Sequence, residues 1–165
     1  EDLDGLKIRV MESKTAFDMV KALGGSPTPI SFGELYTSLQ QGVVDGAENN
    51  PPSFYLSRHY EVCKYYTLDE HTILPDVLLM STHIWDSFSD QERGWLSQAV
   101  KESGIEQRKL WAESEKQSLD AVKEAGVEII IPDKTLFSKK SKKILESYKE
   151  DEVLYDFINR IKNTK

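Results

Sequence analysis

The chain has one cysteine, Cys63, in 165 residues, so no internal disulfide can staple it. Cys63 lies in the strand-like run YEVCKYY and reads as a small apolar residue in a core rather than as a reactive thiol. No apolar run approaches the roughly 18 residues that a membrane-spanning helix needs. Surplus positive charge is also lacking: the formal net charge is -7, which argues against a nucleic-acid partner. The basic cluster Lys139–Lys143 (KKSKK) is the exception, but it sits beside Ile144, Leu145 and Tyr148 at helical spacing and reads as a solvated helix face. Glycine-rich phosphate loops, the HExxH pair and the GxSxG elbow are all missing. The three histidines are too dispersed for a metal motif, and neither a metal nor a cofactor is expected. Glu1-Asp2-Leu3-Asp4 is acidic where an export signal would be basic, so the opening residues do not read as one.

Strand and helix patterns alternate, which predicts an α/β fold. LKIRV (residues 6–10) alternates as a strand. Residues 15–23 present one apolar helical face, closed by Gly24-Gly25. The prolines of Ser26-Pro27-Thr28-Pro29-Ile30 force an extended segment. Ser31-Phe32-Gly33-Glu34 matches a capping box for a helix ending near Gly42. Val43-Val44 then reads as a short buried strand and Asp45-Gly46 as a turn. Pro51-Pro52 opens a helix through Tyr55 and His59, and strand-like runs follow at 61–67 and 76–81. From Ser89 a second capping box starts a proline-free helical stretch that reaches Ala125, with Gly104 as a candidate break. A strand, VEIII, and two amphipathic helices at 135–149 and 151–162 complete the chain.

In such sheets, ligands gather at the carboxyl ends of strands. Arg9 stands at the end of the first strand, and Glu48-Asn49-Asn50 end near Pro51. A guanidinium presents a planar fork that fits a carboxylate, and adjacent amides both donate and accept. Each of these residues has a plainer reading. Arg9 can pair with one of 28 acidic side chains, and Asn49 and Asn50 can serve turn chemistry. Glu48 suits sugar hydroxyls, orientation of Arg9 or an ordinary ion pair. Phe32 is either core or the floor of a ligand pocket. His71, beside Asp69 and Glu70, is a ligand contact, a packed histidine or a general base.

The blocks GLKIRV, GGSPTPISFGELYTSLQQGVVDGAENNP and YEVCKYYTLDEHT, in this order and spacing, resemble the DctP-type solute-binding subunits of tripartite ATP-independent periplasmic (TRAP) transporters. The resemblance runs from about Asp4 into the C-terminal helices. It implies a periplasmic-binding-protein-like α/β lobe with a mixed sheet and a helix spanning two lobes. It also implies that the N-terminal lobe is largely missing and that the chain corresponds to a C-terminal portion. Residues 1–75 would be the second, ligand-binding lobe, and residues 76–165 the spanning helix, strands and C-terminal helices that pack across both. The resemblance places the carboxylate-binding arginine on Arg9, the ligand-stacking aromatic on Phe32, the strand-end asparagine on Asn49 and a ligand-proximal histidine on His71. Asn50 and Asp76 fall on positions that vary, as specificity candidates. The implied ligand is a small organic acid, most closely a sugar acid such as a hexuronate, with C4 dicarboxylates and keto acids as alternatives. The implied partners are TRAP membrane permease subunits, and the implied location is periplasmic or extracytoplasmic. An uncovered lobe would also favour self-association. The competing function is an enzyme acting on a sugar acid with Glu48 or His71 as acid/base.

Overall fold

Strand β1 (Lys7–Val10) lies at the centre of a three-stranded parallel sheet, between β2 (Ser26–Pro29) and β3 (Gly46–Ala47), in a computed structural model that describes residues 2–164. Val10 is fully buried and packs with Met19, Val20 and Leu23 of helix α1 (Lys14–Leu23). Gly24, at φ 108°, takes the left-handed turn that ends α1. Gly25 follows where a Cβ would stand 3.1 Å from Val20 and 3.3 Å from Ile8, so the chain passes tightly from helix to sheet. Pro27 and Pro29 suit β2 because it is an edge strand. Ser26 and Ile30 donate inward to the carbonyls of Leu6 and Val10, and the prolines fall at alternating positions between them.

Every strand pairing among the described residues is parallel, so the expected mixed sheet is refined to two small parallel ones. The second sheet pairs β4 (Tyr65–Thr67) with β5 (Glu128–Ile130). A second core joins Phe54 of α3 (Pro51–Leu56) to Val122 of α5 (Asp90–Glu124) and to Val127, flanked by Tyr60, Cys63 and Tyr66. Burial pushes the Cys63 thiol pKa up, away from the reactive thiolate.

Helix α5 is continuous for 35 residues, about 52 Å, and Gly104 does not break it. Its N-terminus carries the expected capping box, with Ser89 and Glu92 bonding each other's backbone N–H groups. Only Ser118 and Val122 of α5 are buried, which agrees with the absence of one apolar stripe. Helices α6 (Lys134–Ser147) and α7 (Glu152–Lys162) match the two expected at the C-terminus. Phe137 and Ile144 of α6 return to cover α1, where Lys140 donates to the Leu23 carbonyl at 2.9 Å. A cation there favours the negative end of the α1 dipole. No helix among the described residues is long and apolar enough to cross a membrane.

Several expected boundaries move, each for a local reason. Val43-Val44 is not a strand. Helix α2 (Leu35–Gln40) ends with Gly42 at φ 68°, and Gly42 and Val43 donate back to Leu39 and Ser38. This double closure ties Val43 to the helix end, Val44 is buried without strand pairing, and pairing begins only at Gly46. The expected Ser31–Glu34 box is a 3₁₀ turn in which the Ser31 hydroxyl donates to the Glu34 carboxylate at 2.6 Å, with no side-chain bond to the backbone. The helix expected through His59 stops at Leu56, and a 3₁₀ turn at His59–Glu61 delays β4 to Tyr65. Residues 76–81 form no strand: alternation alone does not make one without a neighbour, and Leu79 is 83% exposed.

Leu35 is fully buried at the start of α2. Leu35→Ala is expected to destabilise the chain by about 2–5 kcal/mol, read as a lower urea midpoint at unchanged slope.

Candidate carboxylate site

Parallel pairing sets Arg9 opposite Ala47, so Glu48, Asn49 and Asn50 leave the sheet directly beside the end of β1. The chain runs from β1 to β2 on one side and then back across to β3 on the other. The crevice between β1 and β3 is therefore the point where strand order reverses, the usual ligand position in a parallel sheet.

Arg9 is 2% exposed. Its Nε donates to the Ile30 carbonyl at 2.8 Å, and its guanidinium carbon lies 5.9 Å from the centre of the Phe32 ring. Its terminal nitrogens have no hydrogen-bond or salt-bridge partner among the described residues. Burial lowers its pKa, and the charge of Glu48 partly opposes that. An arginine remains charged under such a shift, so the site holds a desolvated cation with donors to spare.

Phe32 is 47% exposed, which removes it from the core and leaves its ring at the surface beside Arg9. His59 meets it edge-on at 5.6 Å between ring centres. His59 is buried, and desolvation, followed by the nearby Arg9 charge, lowers its pKa. It stays neutral around pH 7 and braces the ring without adding charge.

The two asparagines have their acceptors occupied. Asn49 Oδ1 accepts from the Asn50 backbone N–H at 2.9 Å, and Asn50 Oδ1 caps α3 by accepting from Ser53 N–H at 2.9 Å. The turn chemistry considered for these residues is therefore present. It leaves their amide NH₂ groups as donors without a partner among the described residues. Tyr66 of β4 donates to the Asn49 carbonyl at 2.7 Å and so ties the second sheet to the end of β3. Burial, then the acids Asp69, Glu115 and Glu48, push the Tyr66 pKa up and keep the hydroxyl a donor.

His71 stands between two carboxylates. Its Nδ1 is 2.7 Å from Asp69 Oδ1, and its Nε2 is 3.9 Å from Glu48 Oε2, within charge pairing but beyond hydrogen-bond length. Nε2 is buried without a hydrogen-bond partner. The hydrogen bond to Asp69 and the proximity of Glu48 raise the His71 pKa from 6.5 to about 9, against the opposing effect of burial. Imidazolium is therefore the form present at neutral pH. Asp76 is exposed in the irregular stretch after β4.

Comparison with known proteins supplies the family. The model of the DctP family, bacterial extracellular solute-binding protein family 7, matches residues 1–151. The chain belongs to that family. A solute-binding protein of Chromohalobacter salexigens is 40% identical over 152 residues, 92% of this chain and 45% of its own length. A TRAP periplasmic solute-binding protein of the same organism, solved with bound D-glucuronate, superposes with a TM-score of 0.94 at 38% identity, covering 99% of this chain and 55% of that one. One from Xanthobacter autotrophicus with bound β-D-galacturonate gives 0.90 at 41% identity, covering 99% and 55%. The chain spans about half the length of the relatives it matches. Its fold is that of a TRAP periplasmic binding protein without the rest of such a molecule.

Within this DctP-family chain, sequence reasoning overlooked His59, Tyr66 and Asp69 as parts of the site. Asp69 meets His71 because Glu70 between them turns at a left-handed φ of 50°, which no residue preference announced. Nothing in the sequence marked His59, which reaches Phe32 only after Arg58 adopts a left-handed φ of 58°.

A histidine favoured in its charged form adds stability below pH 6.5 that disappears as pH rises through about 9. The stability gap between the parent chain and His71→Gln should therefore be largest near ~pH 6 and shrink by ~pH 9.5, measured by urea unfolding at both. Histidine NMR should place the His71 and His59 midpoints on opposite sides of 6.5.

Proposed function

We propose that this chain supplies the ligand-facing part of an extracytoplasmic TRAP solute-binding subunit that captures a sugar acid, most closely a hexuronate, for a membrane permease. The observation that carries the reading is Arg9: a buried guanidinium, at the switch point of a parallel sheet, with unpaired donors and a phenyl ring beside it. A uronate carboxylate satisfies the fork, its hydroxyls suit Glu48 and the free amides of Asn49 and Asn50, and its apolar ring face suits Phe32. The glucuronate and galacturonate held by the two similar structures support this ligand class over a C4 dicarboxylate or a keto acid. Asp76 and Asn50 stand in this reading as specificity positions. Residues 1–75 form the ligand-facing lobe, and residues 76–165 form the spanning helix and the elements that pack back on it.

Family members are solute-binding transport proteins. Binding without turnover is proposed here as well, on the ground of that family role. Micromolar affinity requires about 8 kcal/mol, more than one charge pair supplies, so the remaining half of the protein is expected to close over the ligand.

In the full-length gene product, Arg9→Ala should weaken D-glucuronate binding by about 2–5 kcal/mol in calorimetry. Unchanged affinity would remove Arg9 from the site. NMR of the mixture should show glucuronate unaltered after long incubation, and any turnover would favour the enzyme.

A further inference from the structure

Glu48 poses a problem for a site built on Arg9. It is the carboxylate whose charge Arg9 feels, and it follows directly on Ala47, the residue paired with Arg9 in the sheet. A glutamate so placed would normally swing onto the guanidinium and compete with any incoming anion. Here it forms no salt bridge with Arg9, and its Oε2 is instead 3.9 Å from His71 Nε2. The His71 ring is fixed from behind by Asp69 at 2.7 Å, and its side chain is 14% exposed, so it has little freedom to leave.

We infer that Asp69 and His71 are positioning residues that hold Glu48 away from Arg9 and so keep the guanidinium open to a ligand carboxylate. The inference rests on the proposed carboxylate site and adds to it a chain of three groups, Asp69 to His71 to Glu48. The buried, unpartnered Nε2 fits this role: at 3.9 Å from Glu48 Oε2 it is near enough to attract the carboxylate without a tight bond. The other ionisable groups around this chain are Arg9 on β1, facing Glu48, Tyr66 on β4, bonded to the Asn49 carbonyl, and Glu115 on α5, whose charge reaches Tyr66. Tyr66 remains protonated and Glu115 is not in contact with His71, so the imidazole is the group whose charge decides where Glu48 points.

The test uses D-glucuronate calorimetry on the full-length gene product carrying Asp69→Asn, Glu48→Gln or both, with histidine and arginine side-chain NMR on the ligand-free forms. Asp69→Asn should bring the His71 midpoint back toward 6.5 and weaken glucuronate about tenfold at ~pH 8, while leaving affinity near that of the parent at ~pH 5.5, where the ring is charged either way. His71→Gln should reproduce the ~pH 8 loss, which guards against a folding defect peculiar to Asp69→Asn. In the Glu48→Gln background, Asp69→Asn should change affinity less than about twofold, because a neutral amide does not compete for Arg9. A full tenfold loss in that background would reduce His71 to a simple extra cation and overturn the inference, as would a shifted midpoint with affinity unchanged. If the parent protein binds no glucuronate at either pH, the proposed ligand fails instead. The ligand-free spectra then decide separately: Arg9 resonances should move as His71 loses its proton in the parent and stay still with Glu48→Gln, and an indifferent Arg9 would sink the positioning role.

Discussion

A guanidinium taken out of water without an adjoining acid is an unfavourable arrangement, and the surroundings of Arg9 exist to tolerate it. Three weak compensations are in place: the Ile30 carbonyl, the face of Phe32 and the more distant charge of Glu48. Each comes from a different element, and the β2-β1-β3 order brings them together. Ile30 follows the edge strand, Phe32 opens the turn before α2, and Glu48 leaves β3. A cation held this way gains more from an anion than the same cation in water, because little hydration remains to be stripped from it.

The second sheet supports the first at one point. Through Tyr66, the β4–β5 pair holds the carbonyl of Asn49, so the amides beyond β3 are set by a core that contains none of the β1 residues. That core draws on α3, the C-terminal end of α5 and β5, elements far apart in sequence. The site therefore depends on long-range closure of the chain, although most of its polar groups lie within residues 9–71.

Arg9 was legible because four alternating residues end on it, and Asn49 and Asn50 because two prolines stop the chain behind them. Helix α5 was legible from its capping box and its freedom from proline, and its exposed N-terminal stretch explains why no single stripe could be traced. The third strand was not legible. Gly46 and Ala47 have no β preference of their own and pair only because β1 offers a free edge, while Val43, which does prefer strands, is used to finish a helix. Residues 76–81 failed in the opposite sense, with strand composition and no partner among the described residues. His59 and Tyr66 were invisible for a shared reason: their roles arise from contacts across the chain, which periodicity does not encode.

The prolines of β2 have an effect beyond their place in the sheet. Parallel strands leave a row of hydrogen-bonding groups along each outer rim, and a second molecule can extend the sheet there. With Pro27 and Pro29 at the two outward-facing positions of β2, that rim has no N–H donors, and the molecule is blunted against stacking edge to edge on the β2 side. Sticking of one copy to another at that rim must then use side chains, and the bare stretch that includes Ile73 and Leu79 offers a second kind of contact, greasy and unspecific rather than templated by backbone.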